Sequence, residues 1–222
     1  MDQHLLLNLW IAIALLAVAH LILFAGLFLR RGRPFKNTTL LEYLPLAALT
    51  LLFGFLAIRS ERLWAATRYA GPDLSAIQIE ATGMQFAWYF RYPGHDANFG
   101  RTRPELISAA EGNPVGIDPA DARGGDDFVT TQLVLPANRE IDLRLHAQDV
   151  IHGFFVPALR LKQNAVAGED FHVHFTATTA GTYAILCTQL CGLGHYRMTA
   201  NLQVLPPEQY ARWVATHEEA TQ

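Results

Sequence analysis

The sequence predicts an N-terminal pair of transmembrane helices followed by an all-β domain. Two apolar runs near the N-terminus are each long enough to cross a hydrocarbon core of about 30 Å. From about Ile77 onward, apolar and polar residues alternate with the period of half-buried strands. The chain of 222 residues, 51% of them hydrophobic, has room for both parts.

The first apolar run, residues 5–29, contains only Asn8 and His20 as clearly polar members. It lacks the preceding basic segment and the small-residue cleavage site of a secretory signal, so a retained span is favoured over a cleaved leader. The second run, residues 40–58, is just long enough to cross back. Two spans are therefore predicted.

The segment 30–37 between the two runs carries four cations, which predicts that it lies on the cytoplasmic side. Both termini and the β domain would then lie on the outer side of the membrane. Arg59, Arg62 and Arg68 follow the second run on that outer side and reduce the charge asymmetry.

Alternation and turn residues predict about seven short strands, typical of a sandwich or small barrel. The strands are expected at residues 77–82, 85–92, 128–135, 141–146, 171–175, 182–186 and 199–205. The Pro206-Pro207-Glu208 segment then predicts the start of a helix. The expected domains are residues 1–70 for the hairpin, 71–205 for the β domain and 206–222 for a C-terminal helix or tail.

A segment rich in Gly and Pro, between Tyr92 and Phe128, is too long for a simple hairpin turn. Residues 96–127 contain seven acids against three arginines. The acids are Asp96, Glu105, Glu111, Asp118, Asp121, Asp126 and Asp127. Two interpretations stay open for this segment: a solvated loop, or an acidic docking surface for a basic partner.

The segment from Cys187 to Met198 contains two thiols, one imidazole and one thioether. These are Cys187, Cys191, His195 and Met198. Thiolate and thioether sulfur together with imidazole suit copper better than magnesium or calcium. The segment therefore predicts a metal-binding loop.

An upstream histidine is needed to complete this ligand set, and His152 is the best candidate. It follows a strand expected to end near Ala147, and a sandwich brings distant strand ends together. Asp149, three residues earlier, could orient its imidazole, although a turn-forming role is equally consistent with the sequence. His172 and His174 share one strand face and could form a two-histidine site, but a solvated outer face is the favoured interpretation.

Several sites fit these residues. A disulfide between Cys187 and Cys191 leaves the His195 and Met198 spacing unexplained, and a zinc site leaves the thioether without a role. A mononuclear blue-copper site would use His152, Cys191, His195 and Met198 but leave Cys187 over. A dinuclear copper site bridged by both thiolates uses every residue.

The spacing Cys187-x3-Cys191-x3-His195-x2-Met198, with Asp149-Val150-Ile151-His152 upstream, resembles the CuA site of subunit II of the haem–copper oxidases, commonly cytochrome c oxidase. The segments Gly83-Met84-Gln85-Phe86-Ala87-Trp88 and Tyr210-Ala211-Arg212-Trp213 extend the resemblance over nearly the whole chain. It implies a transmembrane helical hairpin joined to a cupredoxin-like Greek-key sandwich.

The resemblance also implies a ligand assignment for two copper ions. Cys187 and Cys191 would bridge both ions, and His152 and Met198 would complete one of them. The other copper would be completed by His195 and by the backbone carbonyl of Gln189.

The chain departs from the family at three places. Gln189 replaces an acid whose carboxylate reaches an interface magnesium or manganese ion, so that ion loses a ligand here. Phe86 replaces the tryptophan through which electrons arrive, and Trp88, expected on the same strand face, is the other candidate. Glu42 is the counterpart of a glutamate tied to proton uptake, without the tryptophan that usually follows it.

The function implied is electron transfer within a membrane-bound oxidase. The CuA centre would accept electrons from a c-type cytochrome and pass them to haem in catalytic subunit I for oxygen reduction. The expected setting is a bacterial-type inner membrane, with other oxidase subunits and lipid as partners and no nucleic acid. The alternatives are a CuA subunit of a nitric oxide reductase and a membrane-anchored copper-binding or copper-delivery protein.

Overall fold

Two long helices precede the β domain in the computed structural model, which describes residues 2–29, 38–68 and 71–221. Helix α1 is Asp2–Leu29 and helix α2 is Thr38–Arg68. Each contains a segment long and apolar enough to cross a membrane, with mean hydropathy of 2.6 in α1 and 1.6 in α2. The segment 30–37, on which the predicted orientation depends, lies outside the described residues. The chain forms two compact units, residues 1–59 and 60–222.

Within residues 71–221 the structure forms ten strands in two five-stranded sheets. The strands are β1 (Ile77–Met84), β2 (Ala87–Tyr92), β3 (Phe128–Thr130), β4 (Leu133–Pro136), β5 (Glu140–Ala147), β6 (His152–Val156), β7 (Leu161–Ala165), β8 (Phe171–Thr176), β9 (Gly181–Cys187) and β10 (Thr199–Leu205). The first sheet has the order β3-β2-β1-β5-β8 and the second β4-β10-β9-β6-β7. A C-terminal helix, α3 (Pro207–Thr221), follows.

The predicted sandwich is confirmed, but three details of the strands differ. The expected strand 128–135 is two strands, β3 and β4, which belong to different sheets. Strands β6 and β7 were not predicted. The first is buried on both faces and the second is largely polar, so neither shows the period-two alternation that marks a half-buried strand.

The alternating strands bury their apolar residues between the two sheets. Ile141, Leu143 and Leu145 of β5 are fully buried, while the alternating residues Arg144 and His146 are partly exposed on the outer face. The two sheets are also linked by Tyr92 of β2, whose hydroxyl donates to the Val134 carbonyl at 3.0 Å and accepts from the Val134 amide at 2.7 Å. Burial raises the pKa of Tyr92 well above its ordinary value, so the hydroxyl keeps its proton for this bond.

The segment 93–127 is held to the sandwich by the buried guanidinium of Arg91. This side chain binds the buried carboxylate of Asp127 and donates to the Gly100 carbonyl at 2.5 Å. It also binds Glu80 of β1 at 3.0 Å. Because Asp127 additionally accepts from the Gly100 amide, the two ends of the segment are fixed at one point.

Most acids of this segment are engaged within the domain, which limits the predicted acidic docking surface. Asp118 is buried against two arginines of the same segment, and Asp121 binds Arg123 and two backbone amides. Asp126 accepts from the amides of His95 and Asp96. Among the described residues, Asp96, Glu105 and Glu111 are the exposed members of the seven acids. Asp127 is buried against Arg91, and Asp126 is half-buried and bound to two backbone amides.

The Arg91 contacts give a prediction about stability. Replacing Arg91 with Leu should destabilise the β domain by about 3–5 kcal/mol, because it leaves Asp127 as a buried charge without its cation. Arg123→Leu is the matched control and should cost less than about 1 kcal/mol, since Arg123 is exposed. Urea unfolding of a soluble fragment beginning at Pro72 measures both, and equal losses would contradict this account.

Candidate metal centre

The metal-binding loop connects β9 to β10 at one end of the second sheet. Strand β9 ends at Cys187, and the Cys187 amide donates to the Met198 carbonyl at 3.1 Å just before β10 begins. The next amide, that of Thr188, donates to the Gly153 carbonyl of β6 at 2.9 Å. These bonds close the loop over the start of β6, where His152 lies.

Four of the predicted ligand side chains meet at this loop. Cys187 and Cys191 are free thiols with sulfurs 3.9 Å apart. The Cys191 sulfur lies 3.7 Å from His195 Nδ1 and 3.7 Å from the Met198 sulfur. The Gln189 carbonyl lies 3.3 Å from the Cys187 sulfur. Two sulfurs that each contact one metal at roughly 2.3 Å stand about 3.8 Å apart in a tetrahedral site, so the thiol separation suits shared metal binding.

His152 completes the cluster from β6. A ligand atom of His152 and the sulfurs of Cys187 and Cys191 all lie within 4.8 Å of one another. The imidazole is fully buried, and its Nε2 lies 2.8 Å from Asp149 Oδ1. Its Nδ1 is buried without any hydrogen-bond partner. A buried ring nitrogen of this kind normally finds a partner, and a bound metal ion would supply one.

The charges at the site follow from burial and hydrogen bonds. Burial acts to raise the pKa of Asp149, but hydrogen bonds from His152 and from the Gln85 and Val150 amides outweigh it and lower the pKa. Burial, and then the neighbouring thiol of Cys187, raise the pKa of Cys191 to about 11. Asp149 is therefore an anion that orients the imidazole, and a metal ion must displace the thiol proton to bind.

Gln85 is a functional residue that the sequence did not reveal. It lies in the turn between β1 and β2, and its backbone N–H donates to Asp149 Oδ2 at 2.8 Å. Its side-chain Nε2 donates to the Cys191 carbonyl at 2.5 Å. Gln85 thus joins the carboxylate that holds His152 to the backbone of the second cysteine. No local spacing predicts these bonds, because they link residues 64 and 106 positions apart.

Phe86 and Trp88 occupy different environments, so the prediction that they share one strand face is wrong. Phe86 lies in the turn before β2 and packs on the loop, where a Cβ at Gly194 would come within 2.3 Å of its ring. Trp88 is only 1% exposed, and its ring contacts His152 edge-on at a centroid distance of 5.9 Å. Gly83 permits this contact, since a Cβ there would approach the His152 ring to 2.9 Å.

The remaining predicted residues lie apart from this cluster. His172 and His174 lie on the outer face of β8, with Nδ1 3.0 Å and 3.3 Å from Asp142 Oδ1. His172 is solvated as expected, whereas the His174 side chain is only 8% exposed. Glu42 is an exposed residue of α2 in the other structural unit. His152, Cys187, Cys191, His195 and Met198 are the side chains that the structure brings together, with the Gln189 carbonyl beside them.

The sequence profile described as "Cytochrome C oxidase subunit II, periplasmic domain" matches residues 77–205, which contain this entire cluster. The chain belongs to the cytochrome c oxidase subunit II family. The match covers more than half of the 222 residues and spans all ten strands of the sandwich.

Curated relatives agree with the family assignment. The alternative cytochrome c oxidase subunit 2 of Bradyrhizobium diazoefficiens is 35% identical over 163 residues, which are 72% of this chain and 58% of the relative. The cytochrome c oxidase subunit 2 of a Synechocystis species is 30% identical over 147 residues, 66% of this chain and 35% of the relative. The chain thus matches less than two thirds of the length of either relative.

A solved structure has the same fold. The crystal structure of the periplasmic domain of subunit II of cytochrome oxidase from Bradyrhizobium japonicum is 25% identical, with a TM-score of 0.50. The alignment covers 68% of this chain and all of that domain. The chain therefore combines the subunit II sandwich with two helices long and apolar enough to cross a membrane and with a group of one histidine and two cysteines that could hold a metal ion.

The Gln85 contacts give a prediction about this site. Gln85→Leu should weaken copper binding by about 10–100-fold, the range found when groups that orient metal ligands are removed. The exposed Gln78 of β1 provides the matched control, Gln78→Leu, which should leave binding unchanged. Competition with a copper chelator measures both affinities, and unchanged binding in Gln85→Leu would show that the bond to Cys191 does not position the loop.

Proposed function

We propose that this chain is the electron-transfer subunit of a haem–copper oxidase and holds a dinuclear CuA centre. The observation that carries the proposal is the pair of free thiols 3.9 Å apart, with a ring nitrogen of the buried His152 within 4.8 Å of both. A thioether lies 3.7 Å from Cys191 on the same loop. Two thiolates, two imidazoles and a thioether form a donor set suited to copper.

In this proposal the thiolates of Cys187 and Cys191 would be shared by the two coppers. His152 and Met198 would complete the ligands of one copper, and His195 with the Gln189 carbonyl would complete those of the other. The distances support one imidazole for each metal. His152 is within 4.8 Å of both sulfurs, whereas His195 is not part of that three-residue group and approaches Cys191 at 3.7 Å. The Gln189 carbonyl lies beside Cys187 rather than Cys191.

The bound centre would supply reversible one-electron transfer. A fold that held the donor atoms in nearly the same positions in both redox states would lower the cost of rearrangement. Met198 is fixed between a buried thiol and β10, and His152 is held by Asp149 and by the Trp88 ring. The apolar surroundings of Cys191 exclude water from its sulfur and so influence the reduction potential.

Electrons would come from a c-type cytochrome and pass to haem in catalytic subunit I, which reduces oxygen. The two helices would anchor the chain in a bacterial-type inner membrane as a multi-pass subunit, with both termini and the copper domain on the periplasmic side. Phe86 is the more accessible aromatic residue for electron arrival, because it is half-buried whereas Trp88 is fully buried. Glu42 of α2 is retained as a candidate for proton uptake.

Metal content tests the dinuclear site. The fragment beginning at Pro72 should bind two coppers per chain and give an electron paramagnetic resonance signal delocalised over both. Cys187→Ser should bind one copper with a blue-copper spectrum, because His152, Cys191, His195 and Met198 remain. A wild-type fragment that holds one zinc ion, or a disulfide between the two cysteines, would refute the proposal.

Substitutions at Gln189 test the copper site and the interface magnesium or manganese site of the family independently. Gln189→Ala should keep the dinuclear spectrum, because only the backbone carbonyl binds copper. Gln189→Glu adds a carboxylate, which should create or strengthen manganese binding in the assembled oxidase. Manganese titration of the wild-type and Gln189→Glu complexes compares them. Tight, stoichiometric manganese in the wild type would show that the amide is sufficient.

A further inference from the structure

Helix α1 carries an ionisable side chain, His20, near the middle of its apolar segment. The segment Gln3–Phe28 has a mean hydropathy of 2.6, and its middle falls between residues 15 and 16. At a rise of about 1.5 Å per residue, His20 is about 7 Å from that middle along the helix. A hydrocarbon core of about 30 Å extends about 15 Å to either side of its centre, so His20 would lie well inside it.

One nitrogen of the His20 ring is satisfied within the helix, and the other is not. His20 Nδ1 lies 2.8 Å from the carbonyl oxygen of Leu16, one turn earlier. Because a carbonyl oxygen only accepts, Nδ1 carries the proton of the neutral ring and Nε2 is left as an acceptor. In the described part of the chain, no group donates a hydrogen bond to Nε2.

Thr50 of α2 shows how a polar side chain in a span can be satisfied without a partner. Its hydroxyl donates to the Leu46 carbonyl at 2.8 Å, so its single proton is used within its own helix. The His20 ring has a second nitrogen, which the same kind of bond leaves over. The bond to Leu16 also directs the ring toward the start of α1, away from the nearer end of the apolar segment at Phe28. Nε2 therefore does not reach toward interfacial water at that end.

Helix α2 does not cover the part of α1 that carries His20. At the start of α1, His4 Nδ1 lies 3.3 Å from the Arg59 guanidinium of α2. Residues 12–28 of α1, in contrast, are exposed throughout. Ala17 and Phe24 lie on the same face as His20, because residues three and four apart are neighbours on a helix. Transmembrane helices pack together through faces of this kind, in which a small residue lies beside a polar one.

We propose that His20 binds this chain to a second membrane-embedded subunit, in which a transmembrane helix donates a hydrogen bond from a hydroxyl, amide or indole group to Nε2. Lipid tails offer no donor, and histidines inside spans almost always face protein or a water-filled cavity. The inference rests on the proposed function, since the haem-containing catalytic subunit in the same membrane supplies the partner helix. His20 then identifies the face of α1 that packs against that subunit.

The binding of this chain to the rest of the assembled oxidase tests the proposal. The haem retained per tagged chain on dilution in mild detergent gives an apparent dissociation constant. His20→Leu should raise this constant about 3–20-fold, the effect of losing one interhelical hydrogen bond of ordinary strength. His20→Gln should restore most of the binding, because its side-chain oxygen can accept the same bond. Thr50→Val is the matched control and should bind like the wild type, since Thr50 is satisfied within α2.

Three results would overturn the proposal. The first is equal binding by the wild type and His20→Leu, and the second is binding by His20→Gln as weak as that by His20→Leu. The third is cross-linking of the His20 face to a second copy of this chain, which would make the partner another copy. An unchanged copper spectrum verifies the β domain of each variant. Release of the wild-type chain from membranes by alkaline carbonate would instead contradict the proposed function, because the chain would then not span the membrane.

Discussion

The arrangement of the candidate metal centre depends on the buried imidazole of His152. An imidazole at this depth must have both nitrogens satisfied, and the protein satisfies only Nε2, through Asp149. That bond fixes the ring so that Nδ1 is left for a ligand. The absence of a side chain at Gly83 and the edge of Trp88 then define the space around the ring. The free nitrogen is thus held in place before any metal binds.

The β1–β2 turn transmits this constraint to the cysteine loop. Gln85 binds Asp149 with its backbone and Cys191 with its side chain, while Phe86 covers the loop glycines. The first sheet therefore positions ligands that the second sheet carries. In this arrangement both thiols are free, and their sulfurs lie 3.9 Å apart. The sandwich contributes to the chemistry through this cross-sheet contact.

The residues that sequence reasoning found share a local signature, and those it missed do not. The cysteines, His195 and Met198 lie within one loop, so their spacing can be recognised in the sequence. In strands β1, β5 and β8, the alternation of apolar and polar residues predicts which face is buried. Gln85 contributes to the site through hydrogen bonds to Asp149 and Cys191, which are distant in the sequence. The acids at 126 and 127 were read as surface charge, because sequence does not show that backbone amides and Arg91 would occupy them. Strands β6 and β7 show no period-two alternation, because β6 is buried on both faces and β7 is largely polar.

The segment 93–127 and the metal-binding loop differ in the side chains that they expose. Most carboxylates of the segment 93–127 are bound to arginines or backbone amides of the same domain, whereas the metal-binding loop exposes apolar side chains. Leu190, Leu193 and Tyr196 are 79%, 97% and 81% exposed. Large contiguous apolar patches on a protein surface are typical of contact sites for other proteins or membranes. Contacts made by these side chains would gain free energy from water release, which salt screens far less than it screens attraction between surface charges.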